Sequence, residues 1–106
     1  MQTFELSSLL TEQVQSGEAY VEFLRVPALS MGVYMLPADG VDGQRPHNED
    51  EVYYVVRGRA TINVAGEDQL VEPGSIIFVS AHVPHHFHTI SEELAVLVFF
   101  APAESE

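Results

Sequence analysis

From Leu94 to Phe100 the chain reads Leu-Ala-Val-Leu-Val-Phe-Phe, a run without one polar side chain. Successive side chains of a strand point to opposite faces, so this segment offers apolar groups to both sides and must be covered on both. Ile76-Ile77-Phe78-Val79 repeats the pattern in shorter form. One side of such a strand can face a barrel interior. The other needs a second sheet, a helix or another subunit. A homodimer is the simplest source of that cover, because twofold pairing is the commonest oligomeric arrangement.

The rest of the chain fits a closed β architecture. Strand-like runs occupy 20–26, 30–36, 51–57, 59–65, 69–72, 75–80, 84–89 and 94–101. Breakers separate most of them, at Pro27, Pro37 to Gly43, Gly58, Ala65-Gly66-Glu67-Asp68 and Pro73-Gly74. Short strands joined by tight turns point to an antiparallel sandwich or barrel. Ahead of them, Ser7 to Gln15 predicts one short helix, capped by Ser7 or Ser8, ended by Gly17, with Leu9, Leu10 and Val14 as its apolar face. The chain thus divides into an arm with a short helix, 1–19, and a barrel, 20–106. At 106 residues there is room for one domain and little core to spare.

Charge narrows the partners. Sixteen acidic residues face four arginines and no lysine, for a formal charge of −12. A field of that sign repels phosphate backbones, so nucleic acid is not an expected partner. No apolar run reaches the roughly 20 residues that span a bilayer, so no membrane partner is expected either. The N-terminus lacks the basic patch and apolar stretch of a secretory signal, and a cytoplasmic location fits. Without cysteine there are no disulfides and no thiolate metal sites. Any metal here must be held by nitrogen and oxygen.

Such donors exist in two separated stretches. His47, Glu51 and His85 are two imidazoles and one carboxylate, the set that holds a transition metal while leaving positions open. Equal parity puts His47, Glu51 and Tyr53 on one strand face, with Arg45 and Glu49 joining them if the chain is already extended there. His85 and Phe87 share a face, while His86 and His88 point the other way. Tyr53 and Phe87 are therefore candidates to line a pocket and touch a substrate. Glu49 and Asp50, in a loop of so acidic a chain, read as solvated side chains.

These residues also carry a family resemblance. Arg45 to Gly58 and Pro73 to His85 resemble the two motifs of a small single-domain cupin, over about residues 20 to 101. The first motif runs Gly, five residues, His-x-His, three or four residues, Glu, six residues, Gly; His47, Glu51 and Gly58 fit its second His, its Glu and its closing Gly. The second runs Gly, five residues, Pro-x-Gly, two residues, His, three residues, Asn; Gly74 and His85 fit. Arg45 stands in place of the first His, Ser80 of the Pro, His82 of the Gly and Thr89 of the Asn. The resemblance implies an all-β, double-stranded β-helix or jelly-roll barrel with a pocket inside.

Arg45 is the departure with chemical consequences, because a guanidinium has no lone pair for a metal. His47, Glu51 and His85 would then hold one divalent ion (Fe, Mn, Ni or Zn), and Arg45 could offer a forked cation to a carboxylate-bearing substrate. The expectation is a metal-binding cupin with one domain acting on a small molecule, by dioxygenase-like chemistry or as a Lewis-acid isomerase or lyase. The alternative is a non-catalytic cupin that binds or senses a small ligand. No acid–base pair, nucleophilic cysteine or Schiff-base lysine is recognisable, so no separate catalytic residue is assigned.

Overall fold

In the computed structural model, which describes residues 1–105, helix α1 (Leu6–Ser16) precedes six strands. These are β1 (Tyr20–Val26), β2 (Leu29–Leu36), β3 (Asp50–Val64), β4 (Glu67–Val71), β5 (Ile76–Val79) and β6 (His85–Ala101). The expected barrel runs to residue 106, and that last position lies outside those described. No helix among the described residues is long and apolar enough to cross a membrane.

Six strands replace the eight expected because the chain bends at two places without the strand ending. The runs 51–57 and 59–65 form the single strand β3, and 84–89 and 94–101 form β6. Gly58 sits mid-strand at φ 94°, and a Cβ there would lie 2.2 Å from the Glu93 carbonyl oxygen. Only glycine lets β3 cross β6 so closely. The β3–β6 pairing slips between Val55 and Thr61, which is where the two long strands turn together.

All pairings are antiparallel, in the order β1-β2-β6-β3-β4, with β5 added to β3. The first half of β3 pairs with β5 and the end of β6; its second half pairs with β4 and the start of β6. Each long strand therefore belongs to both walls, and the sheet curls into a jelly-roll barrel. Tyr53, Val55, Ile62, Phe87, Val96, Val98 and Phe100 fill it and are buried. Burying each contributes roughly 1.5–3 kcal/mol.

The opposite face of the same strands is apolar too. In one row Phe78 pairs with Val52, Val52 with Phe99, and Phe99 with Met31. In the next, Ile76, Tyr54, Leu97 and Val33 pair in turn. Phe78 is 60% exposed and Ile76 70%.

Helix α1 departs from its expected face. Val14 is 65% exposed, whereas Gln13 is buried. The Gln13 amide nitrogen donates to the carbonyls of Glu18 and Ala19 at 2.9 and 2.8 Å, fastening the helix to the start of β1. Glu5 holds the N-cap position without a side-chain bond, so neither Ser7 nor Ser8 caps; Gly17, at φ 72°, ends the helix as expected.

Candidate metal centre

The loop from Pro37 to Glu49 links β2 to β3 and brings His47 to the mouth of the barrel. Glu51 follows at the start of β3, and His85 is the first residue of β6. Backbone ties set these segments side by side: the His82 amide donates to the His47 carbonyl at 2.7 Å, and the Ala81 amide to Asp50 Oδ1 at 2.9 Å. Asp50 thus braces two loops. Glu49, expected in solvent, is buried and accepts from the Ser105 amide at 3.1 Å.

His47, Glu51 and His85 converge, with one donor atom from each lying within 4.8 Å of the others. Glu51 Oε1 is 2.9 Å from His85 Nε2 and 4.0 Å from His47 Nε2. Both Glu51 Oε1 and His85 Nε2 are buried, and apart from their 2.9 Å approach to one another neither has a polar partner. Two buried polar atoms at this spacing, with no other partner, suit adjacent donors to one ion beside them.

The far side of each imidazole is held. His85 Nδ1 lies 2.9 Å from the Val83 carbonyl, and His47 Nδ1 lies 3.3 Å from the Glu104 carboxylate. The carbonyl at Nδ1 leaves the His85 Nε2 lone pair facing inward, as in histidines that ligate metals, while His47 Nε2 donates to Gln44 Oε1 at 3.1 Å. Burial acts to push His85 down, but the neighbouring Glu51 carboxylate and Val83 carbonyl more than offset it, leaving the ring above its ordinary value. The donor set, two imidazole nitrogens and one carboxylate oxygen, suits a divalent first-row ion.

The cavity beside these donors has a volume of about 160 Å³ and is lined by Tyr20, Tyr34, Gln44, Tyr53, Phe100 and Glu104 among others. Tyr53, fully buried, donates to Gln44 Oε1 at 2.9 Å; burial, then Glu51, raises its hydroxyl far above the usual phenol value. Tyr20 lies against Gly32, where a Cβ would meet its ring at 2.3 Å, and its hydroxyl is buried without a partner. Glu104 comes from the segment after β6, where its amide donates to Ser30 Oγ and its carbonyl accepts from Arg25.

Two expected pocket residues lie elsewhere. Arg45 is exposed and does not line the cavity; it lies in the loop before β3, outside any strand, where alternation does not fix a face. Phe87 is buried in the core, its ring edge-to-face with Tyr53 at 5.0 Å, and supports the cavity from behind. Gln44, Asp42, Tyr20 and Glu104 escaped the sequence reading. No periodicity marks a loop or a tail, and a tyrosine on an early strand reads equally as core.

Residues 32–101 match the family model for the cupin domain. The chain is a cupin. It is 49% identical to an uncharacterized protein of Streptomyces coelicolor over 99% of its own length and 100% of that protein. Its fold superposes on TT1209 of Thermus thermophilus with a TM-score of 0.75 at 23% identity, covering 97% of this chain and 99% of that one. It superposes on part of a salicylate 1,2-dioxygenase of Pseudaminobacter salicylatoxidans with a TM-score of 0.76 at 20% identity, covering 90% of this chain and 32% of that one. These likenesses show the fold. His82 and Thr89, in place of the motif's Gly and Asn, adopt φ 68° and 51°, the left-handed region that Gly and Asn enter at least cost.

Proposed function

We propose that this cupin is a metal-dependent small-molecule enzyme, of the dioxygenase or the Lewis-acid isomerase and lyase kind, holding one divalent ion through His47, Glu51 and His85. The observation that carries this reading is the pair of unpartnered buried atoms, Glu51 Oε1 and His85 Nε2, with His47 Nε2 beside them. A divalent ion so held, with positions open, supplies Lewis acidity or a place for a chelating ligand beside O₂. The chain's own residues do the rest. Glu104 and the Val83 carbonyl orient the two imidazoles. Val98 and Phe100 provide an apolar wall that excludes water, and Tyr20 offers an unused hydroxyl.

Size and charge set the substrate class. A cavity of roughly 150 Å³ takes a molecule the size of benzene. Neither lysine nor arginine lines this one, and Glu51 and Glu104 do. The two carboxylates would balance a divalent ion, leaving no surplus positive charge for an anion. The substrate is therefore a small, uncharged, oxygen-bearing molecule, and the carboxylate-bearing substrate that Arg45 suggested is set aside. A cytoplasmic location fits this role.

Metal analysis of protein purified without chelator tests the assignment. Wild type should carry roughly one ion per chain, and His47→Ala and His85→Ala should carry little; equal metal in all three ends it. Oxygen consumption by the iron-loaded protein with small uncharged diketones then tests the dioxygenase branch. A second reading is a non-catalytic ligand-holding cupin. It is favoured by Tyr34 and Tyr53 donating their protons within the wall, to Asp42 and Gln44. Ligand-raised melting temperature without product would support it.

A further inference from the structure

We infer that Gln44 supplies a fourth donor to the ion, through its amide oxygen, and that Asp42 aims it. The inference rests on His47, Glu51 and His85 being metal donors and adds a residue the motif does not contain. By sequence the missing donor belongs to position 45, but Arg45 is exposed and Gln44 lines the cavity. Gln44 Oε1 lies 3.1 Å from His47 Nε2. In the metal-free site His47 Nε2–H donates to Gln44 Oε1, and an ion taken up by Nε2 would displace that proton and leave Oε1 beside it as a second donor.

The amide cannot turn round. Its nitrogen donates to Asp42 Oδ2 at 2.7 Å, and a flip would set oxygen against that carboxylate. Asp42 is itself fixed by the Phe87 amide at 2.8 Å, the Tyr34 hydroxyl at 2.7 Å and the Gln44 backbone amide at 3.2 Å. Acceptor-only on both oxygens, it holds the Gln44 nitrogen away from the site. Tyr53 uses one lone pair of Gln44 Oε1 at 2.9 Å; the second faces His47 Nε2 and is the one an ion held there would take. The completed set has two nitrogens and two oxygens. Exchanging an imidazole for an amide oxygen moves preference from zinc and nickel toward manganese, since carbonyl oxygen suits harder ions.

Competition titrations with Mn(II) and with Zn(II) test this on the full chain. Gln44→Ala should weaken Mn(II) binding at least about tenfold, the loss typical when a supporting group at a metal site is removed. Gln44→His should shift the Zn(II)-to-Mn(II) preference about tenfold toward zinc, which a merely structural role for Gln44 would not do. The Gln44 side-chain amide resonance of ¹⁵N-labelled wild type should move when Zn(II) is added, a measurement that needs no variant to fold. Unchanged affinities in both Gln44 variants, or an unmoved amide signal while the metal binds, overturn the inference. If His47→Ala and His85→Ala also bind metal as wild type does, the underlying three-residue assignment fails instead.

Discussion

At the scale of single residues, Asp42 carries more structure than any side chain the sequence drew attention to. One nearly buried carboxylate accepts from two backbone amides, a tyrosine hydroxyl and a glutamine amide. Asp42→Ala strands those donors, among them the buried Phe87 amide, and should cost about 2–4 kcal/mol, more than an ordinary hydrogen bond. Urea denaturation of the metal-free protein measures it, and a cost under about 0.5 kcal/mol would contradict this account. Residue type alone could not single out Asp42 among 16 acidic residues. Strand alternation, by contrast, made the shared face of Glu51 and Tyr53 legible. Arg45 was misplaced because that alternation was extended into a loop.

At the scale of elements, the two long strands explain what sequence reading divided wrongly. A glycine in a strand reads equally as a stop or a bend, and only a crossing strand decides which. Gly58 meets β6 at its own backbone, so here it is a bend. On β6 the corresponding turn falls at Thr89, a β-branched residue at φ 51°. Left-handed backbone costs such a residue roughly 1–2 kcal/mol and asparagine less. Thr89→Asn should therefore stabilise the protein by about 0.5–1 kcal/mol, read as a higher melting temperature with metal content unchanged. A lower melting temperature would mean that the contact between Thr89 Oγ1 and His88 Nδ1, at 2.9 Å, outweighs the strain. The helix was foreseen but its buried face was misread for a related reason: hydrophobic spacing cannot see that Gln13 is needed to tie down Glu18 and Ala19.

At the scale of the whole molecule, two expectations follow. Burial raises Tyr20, Tyr34 and Tyr53 above the ordinary phenol value. The folded state thus keeps protons that the unfolded chain releases near pH 10, so these groups' contribution is complete below pH ~10 and is lost as pH rises beyond it. Each steepens the fall in stability by up to about 1.4 kcal/mol per pH unit. In an alkaline titration their phenolate absorbance should rise only as circular dichroism is lost; ionisation of all three in an intact fold would refute this. The second expectation is a homodimer joined through the Phe78, Val52, Phe99 and Ile76, Tyr54, Leu97 rows. In a chain of net charge −12 a second acidic copy can approach closely only where charge is absent, as it is along these rows. Sedimentation should give twice the chain's mass, and Phe78→Glu should halve it without unfolding; a wild-type monomer would remove the proposal.

Sharing β3 and β6 between both walls has a further consequence. Neither half of the barrel can come undone and leave the other standing, because each would take with it the pairing partners its counterpart needs. Amide protons at the two ends of these strands should therefore exchange with solvent through one common opening. The cavity, whose donors start both strands, is locked into that same all-or-none event.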